Sequence, residues 1–103
     1  MNVICLSGRL CHTPELRKST SGKFVCTFSI AVARPRQRDT VDFFSIIAWE
    51  GSAEYVARAG KGDMCIVNGV LCTRRYTDKQ GVHREVVEIK ADELTIVRKN
   101  TDT

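Results

Sequence analysis

The chain has 103 residues, 43% hydrophobic and 27% charged, which is the size of one domain and a globular composition, and it excludes a disordered chain. Its longest apolar runs, such as Ile46-Ile47-Ala48-Trp49, are four residues long, far short of a helical membrane span, and 1–6 lacks the basic start and cleavage pattern of a secretion signal. Sixteen Lys and Arg against twelve Asp and Glu give a net charge of +4, which admits an anionic partner.

Residues 3–10 read as a strand in which Ile4, Leu6 and Leu10 share one parity, with Gly8 a candidate bulge. Over 24–32, Phe24, Cys26, Phe28, Ile30 and Val32 alternate along one face, the pattern of a half-buried strand. A third strand spans 40–49, rich in β-branched and aromatic residues. A short helix follows at 52–59: Ser52 can cap its start, Glu54 suits its first turn, Ala53, Val56 and Ala57 form its apolar stripe, and Gly60 can close it in a left-handed conformation. Strands over 64–76 and 82–97 complete the chain, separated by the turn-forming run Thr77-Asp78-Lys79-Gln80-Gly81. The expected class is all-β. Five strands with one helix between the third and fourth is the element order of the OB-fold, a small Greek-key barrel, with an SH3-like barrel as the alternative. The domain spans 1–97, and 98–103 read as a short frayed end.

Five cysteines cannot form a closed set of disulfides, and no C-x-x-C pair occurs among them. Most lie in apolar stretches, where Cys acts as a small buried hydrophobe in a reducing cytoplasm. His12 and His83 complete neither a zinc-type ligand run nor a nucleophile motif. Glu85 and Glu88 read as the polar face of a strand rather than as an acid/base pair. No metal, cofactor or catalytic activity is expected.

Phe43 and Phe44 are adjacent in a strand, so they point to opposite faces. Ile46 and Ala48 share the parity of Phe44 and form the natural core set, which leaves Phe43, Ser45, Ile47 and Trp49 outside. Tyr76 follows Arg74 and Arg75 at the tip of the last hairpin. Outward rings need something to pack against: either a subunit or protein interface, or unpaired bases, since every base offers a π-face. The basic residues cluster beside these rings. Arg34, Arg36 and Arg38 alternate in a loop that Pro35 holds extended, Lys18 and Lys23 flank the Ser-rich turn before Phe24, and Arg74, Arg75 and Lys79 surround Tyr76. Basic loops interleaved with aromatics form the groove-plus-platform pattern of single-strand binding.

Several segments then carry a family likeness. They are Asn2-Val3 with Gly8-Arg9-Leu10, Thr13-Pro14-Glu15-Leu16-Arg17, Ser21-Gly22-Lys23-Phe24-Val25, and Phe28-Ser29-Ile30-Ala31-Val32. Further along come Asp42-Phe43, Trp49, Ala53-Glu54, Lys61-Gly62, Asn68-Gly69, Thr73-Arg74-Arg75-Tyr76-Thr77-Asp78, and Glu88-Ile89-Lys90-Ala91. In this order and spacing they resemble the bacterial single-stranded DNA-binding protein family over residues 2–97. The resemblance implies an OB-fold that binds single-stranded DNA without sequence preference, in replication, recombination or repair, as a cytoplasmic homotetramer of bacterial or phage origin. It implies stacking by Phe43, Trp49 and Tyr76, and a DNA path along Arg9, Arg17, Arg74 and Arg75. Lys18, Arg34, Arg36 and Arg38 join that path from the cluster reading.

Two departures from the family stand out. Arg36 lies where many members carry another stacking aromatic, so charge or guanidinium stacking would replace a ring there. The family's acidic tail has no counterpart in the sequence, whose only acidic residue after Glu93 is Asp102, so tail-mediated recruitment of replication proteins is not expected. A dimeric primosomal-type OB protein and an OB-fold protein-interaction module are the other readings.

Overall fold

The computed structural model describes residues 1–98. Its elements run β1 (Ile4–Leu10), β2 (Glu15–Lys18), β3 (Phe24–Arg34), β4 (Gln37–Trp49), α1 (Glu50–Val56), β5 (Met64–Thr77) and β6 (His83–Val97). The strands lie in the order β1-β5-β6-β4-β3-β2, and a further pairing of β1 with β3 closes β1, β5, β6, β4 and β3 into a barrel. This is the OB-fold, with its helix between the third and fourth long strands of the barrel. Residues 99–103, most of the expected frayed end, lie outside the described residues.

Alternation fills the barrel. Cys26, Phe28 and Ile30 from β3, Ile46 and Ala48 from β4, Cys65 and Val67 from β5 and Ile89 from β6 are buried, and Ala53 and Val56 of α1 plug one end. Burying each of the larger of these side chains, such as Phe28, Ile30 and Ile46, stabilises by about 1.5–3 kcal/mol, so the inward parity of each strand is strongly specified. Phe44 has that parity yet stays 36% exposed. The reason is topological: β6 pairs with β4 only at Ile46 and Ile47, so Phe44 lies where the β3–β4 ribbon leaves the barrel.

Closure depends on two glycines. A Cβ on Gly8 would lie 2.6 Å from the Ala31 carbonyl oxygen, and one on Gly69 would collide with that of Lys90. Gly8 is therefore a close-approach position and not a bulge, because β1 pairs with β5 in unbroken register through it. The irregularity falls instead in β5–β6, between Asn68 and Gly69. Asn2 extends β1 with its side chain: Nδ2 donates to the Leu71 carbonyl (2.8 Å) and the Leu71 N–H donates to Oδ1 (2.9 Å).

Three local expectations are corrected. The helix starts at Glu50 with Trp49 at the N-cap position and no side-chain cap, because the chain reverses at Glu50 (φ 56°) directly out of β4, which leaves Ser52 inside the helix. Its C-cap, Ala57, is right-handed, and the left-handed glycine beyond it is Gly62 (φ 92°) and not Gly60. The basic segment at 34–38 is a tight hairpin and not an extended loop, with Pro35 and Arg36 alone between β3 and β4; Pro at this turn position presets the bend. The short edge strand β2 is additional to the five expected strands, and its four exposed residues carry no apolar alternation to announce it.

Of the cysteines, Cys26 and Cys65 are buried, Cys11 and Cys72 half-buried and Cys5 exposed, all as free thiols. Burial pushes the Cys65 thiol up to about 11 and raises Cys26 as well.

Candidate nucleic-acid interface

The outer face of the barrel is assembled by register. β3 and β4 pair without interruption from Val25↔Trp49 to Ala33↔Val41, so Phe43 and Trp49 project from the same side. Across the sheet, Arg9, Ala31 and Phe43 form one row, and Arg17, Val25 and Trp49 another. Phe43 is 68% exposed, whereas Trp49 is half-buried and its row neighbour Val25 is buried. The parallel bridge Ile47↔Lys90 carries this face onto β6, and Val70↔Lys90 carries it onto β5. Alternation then brings it along the β5–β6 hairpin through Cys72 and Arg74 to Tyr76, which is 42% exposed. The three rings singled out in the sequence thus stand on one continuous face.

The basic residues divide more sharply than sequence suggests. Arg9 and Arg17 lie on the aromatic face: Arg9 donates to the Gly62 carbonyl (3.2 Å) and Arg17 to the Thr27 hydroxyl (3.2 Å). Arg74 is there too, its guanidinium carbon 5.7 Å from the centre of the Tyr76 ring. Lys18 pairs with Phe24 on the inward parity, and its ammonium sits 5.2 Å from that ring's centre, away from Trp49. Arg75 pairs directly with Glu85 and projects from the side of the hairpin opposite Tyr76. Arg34 makes a two-point ion pair with Asp42 (3.0 and 3.1 Å), and Asp42, adjacent to Phe43, projects from the opposite face. Arg36 and Arg38 are exposed at the β3–β4 tip with no ion pair among the described residues.

With this geometry, the comparisons with known proteins are decisive. The sequence pattern of the single-strand binding protein family matches residues 1–97. The chain belongs to that family. The chain is 38% identical to "Single-stranded DNA-binding protein 1" of Staphylococcus aureus, in an alignment covering 99% of this chain and 69% of that relative. It is 36% identical to "Single-stranded DNA-binding protein A" of Bacillus subtilis, over 91% of this chain and 58% of the relative. It is 34% identical to "Single-stranded DNA-binding protein 2" of Clostridium acetobutylicum, over 100% and 81%. The chain therefore spans little more than half of the B. subtilis relative.

This single-strand binding family member holds its hairpin arms with ion pairs. Arg74 bonds both oxygens of Glu88 (3.2 and 3.4 Å), and Glu88 is only 5% exposed. Glu85 and Glu88, expected to share one polar face, project from opposite faces because they are three positions apart, an odd step in a strand, and each holds an arginine. At the hairpin turn, Asp78 accepts from the backbone N–H groups of Gln80 and Val82 (2.9 Å each) and from Arg84 (3.0 Å). The Val82 N–H, followed by Arg84, holds the Asp78 carboxyl below its ordinary range. Hydrogen bonding from Arg34 likewise lowers Asp42.

Two cations beside Trp49 lie outside the DNA path expected from sequence: Lys23, there counted only in a basic cluster, and Lys90, there counted only as part of a strand. Lys23, in the β2–β3 turn, and Lys90, in β6, line a shallow cleft of about 350 Å³ with Ser21, Trp49 and Glu50. Lys90 is 41 positions from Trp49, and only the parallel β4–β6 bridge brings them together; its strand parity, opposite to the apolar Ile89, was the available signal. Among the described residues no group of three or more His, Cys, Asp and Glu side chains converges as a metal site would, and no helix is long and apolar enough to cross a membrane.

Proposed function

We propose that this chain coats single-stranded DNA without sequence preference and without catalysis, stacking bases on Phe43, Trp49 and Tyr76. The observation that carries this reading is the single face on which the three rings stand, flanked by Arg9 and Arg17, with Arg36 and Arg38 exposed at the β3–β4 tip. An exposed ring such as Phe43 gains about 1–3 kcal/mol per stacked base and reads no hydrogen-bond pattern, so affinity comes without sequence preference. The names of the relatives agree with this ligand. Such a coat acts in the cytoplasm, in DNA replication, recombination or repair.

Trp49, the lone tryptophan, supplies the test. Titration with oligo(dT) is expected to quench its fluorescence, and raising the salt concentration is expected to weaken binding through reduced counterion release. Unchanged fluorescence, with no salt dependence, would refute the proposal.

The chain acts as a homo-oligomer, a tetramer. Supporting this, β1 pairs with β3 only at Arg9 and Leu10, which leaves the other edge of Ile4–Gly8 unpaired beside exposed Val3, Cys5 and Ile66. A light-scattering mass of four chains is expected; a mass of two favours the primosomal-type arrangement, and a monomer overturns the assembly.

A further inference from the structure

The outer face carries more arginines in sequence than it presents in space. Arg34 and Arg75 are turned to the other side of their ribbons, against Asp42 and Glu85. Arg74 faces the right way, but it is the ion-pair partner of Glu88, whose carboxylate is 5% exposed. If Arg74 moved to a phosphate, that carboxylate would be left almost buried without its cation, which costs more than an exposed contact returns.

Lys23 and Lys90 have neither constraint. Both are exposed, neither forms an ion pair among the described residues, and both line the cleft containing Trp49. The turn that carries Lys23 is fixed by its own hydrogen bonds. The Ser19 N–H donates to the Lys23 carbonyl (2.8 Å), the Gly22 N–H donates to the Ser19 carbonyl (2.9 Å), and the Lys23 N–H donates to the Ser19 hydroxyl (3.3 Å). Gly22, at φ 87°, supplies the left-handed residue that this bend requires. Lys90 is held by strand pairing on both sides, to Ile47 and to Val70. The two ammonium groups therefore come from fixed backbone but sit on flexible stems. That combination suits a phosphodiester whose position varies with the base stacked beside it. Glu50 lies in the same cleft and opposes an anion there.

Resting on the DNA-binding reading above, we infer that Lys23 and Lys90 form a phosphodiester-binding subsite beside Trp49, whereas Arg34, Arg74 and Arg75 hold the arms in shape and carry little of the phosphate contact. Bound phosphates displace counterions, so each contacting cation adds about 0.7 to the slope of log K against log salt for a single strand.

The test is anisotropy of a labelled oligo(dT) across a salt series. Lys23→Gln and Lys90→Gln are each expected to lower the slope by about 0.7, and the double variant by about 1.4, with unchanged melting temperatures because both side chains are exposed. Arg75→Gln and Arg34→Gln are expected to keep the wild-type slope, and Glu50→Gln to tighten binding. Wild-type slopes in both lysine variants, or a loss of slope in Arg75→Gln instead, overturn the inference while leaving DNA binding in place. A wild-type chain that does not bind the oligomer overturns the DNA-binding reading and this inference together.

Discussion

Phe43 and Tyr76 stand on the same face of the sheet but on unlike supports. Phe43 stands at the rim of the barrel: its row neighbours Ala31 and Arg9 belong to the β3 and β1 strands that close it, and Ile30 and Ile46 fill the interior close by. Tyr76 is on a two-stranded arm beyond the barrel, where Val87 (60% exposed) shows that no core remains beneath. The arm is held by polar means: Arg74 with Glu88, Arg75 with Glu85, and the Asp78 turn. The same aromatic face is therefore built once on apolar burial, which charge screening leaves untouched, and once on ion pairs, which depend on both pH and salt.

Breaking the common core gives the largest effect. Phe28→Ala is expected to cost about 3–5 kcal/mol and to lower the urea midpoint for the whole chain, arm included. A variant in which only the barrel melted would show that the arm is independent of it.

Damage to the arm's charge pairing is smaller and local. Arg74→Ala leaves the almost fully buried Glu88 without its cation, at about 1–3 kcal/mol, and amide exchange is expected to quicken over 72–88 while the protection of Phe28 and Ile46 persists. Adding Glu88→Gln to that variant is expected to restore much of the protection, because a neutral amide is cheaper to leave there.

Removing a platform changes binding without folding. Phe43→Ala is expected to weaken oligo(dT) binding by about 1–3 kcal/mol with an unchanged unfolding midpoint, as suits a ring 68% exposed. Trp49→Ala is expected to lower both, since half of that ring is already packed and its row neighbour is the buried Val25.

The smallest effect is set by pH. Asp78 is held below its ordinary range in the folded chain, so its ionised form stabilises the turn. That contribution is complete above the unfolded value of about 3.9 and is lost as pH falls below it toward the folded value. In an acid titration followed by amide NMR, the turn at 78–82 is expected to loosen before the barrel, and Asp78→Asn to remove that pH dependence.

The barrel strands were legible because alternation is local: a period of two in 24–32 or 40–49 needs no knowledge of partners. The same local rule placed Phe43 and Trp49 outside and Ile46 and Ala48 inside. It failed where the controlling contact is distant. β2 is recognisable only through its pairing with Phe24–Thr27, and Gly8 is required by an Ala31 carbonyl that lies far along the chain. The helix start was missed because the reversal at Glu50 is set by the strand feeding it, not by a capping side chain. Charge was the least legible feature, since basic clusters look alike in sequence whether they stand on the aromatic face, as Arg17 does, or against a carboxylate on the other side, as Arg34 does.

By itself the sequence determined a small all-β barrel with one helix, three outward rings and a surplus of positive charge, because parity and composition act residue by residue. The tertiary structure alone decided which cations share the rings' face. That choice depends on register across β1, β3 and β4, on the parallel bridge that brings Lys90 to Trp49, and on a nearly buried Glu88 that claims Arg74. Electrostatic partnership falls off with distance in space, and spacing along the chain is a poor guide to it.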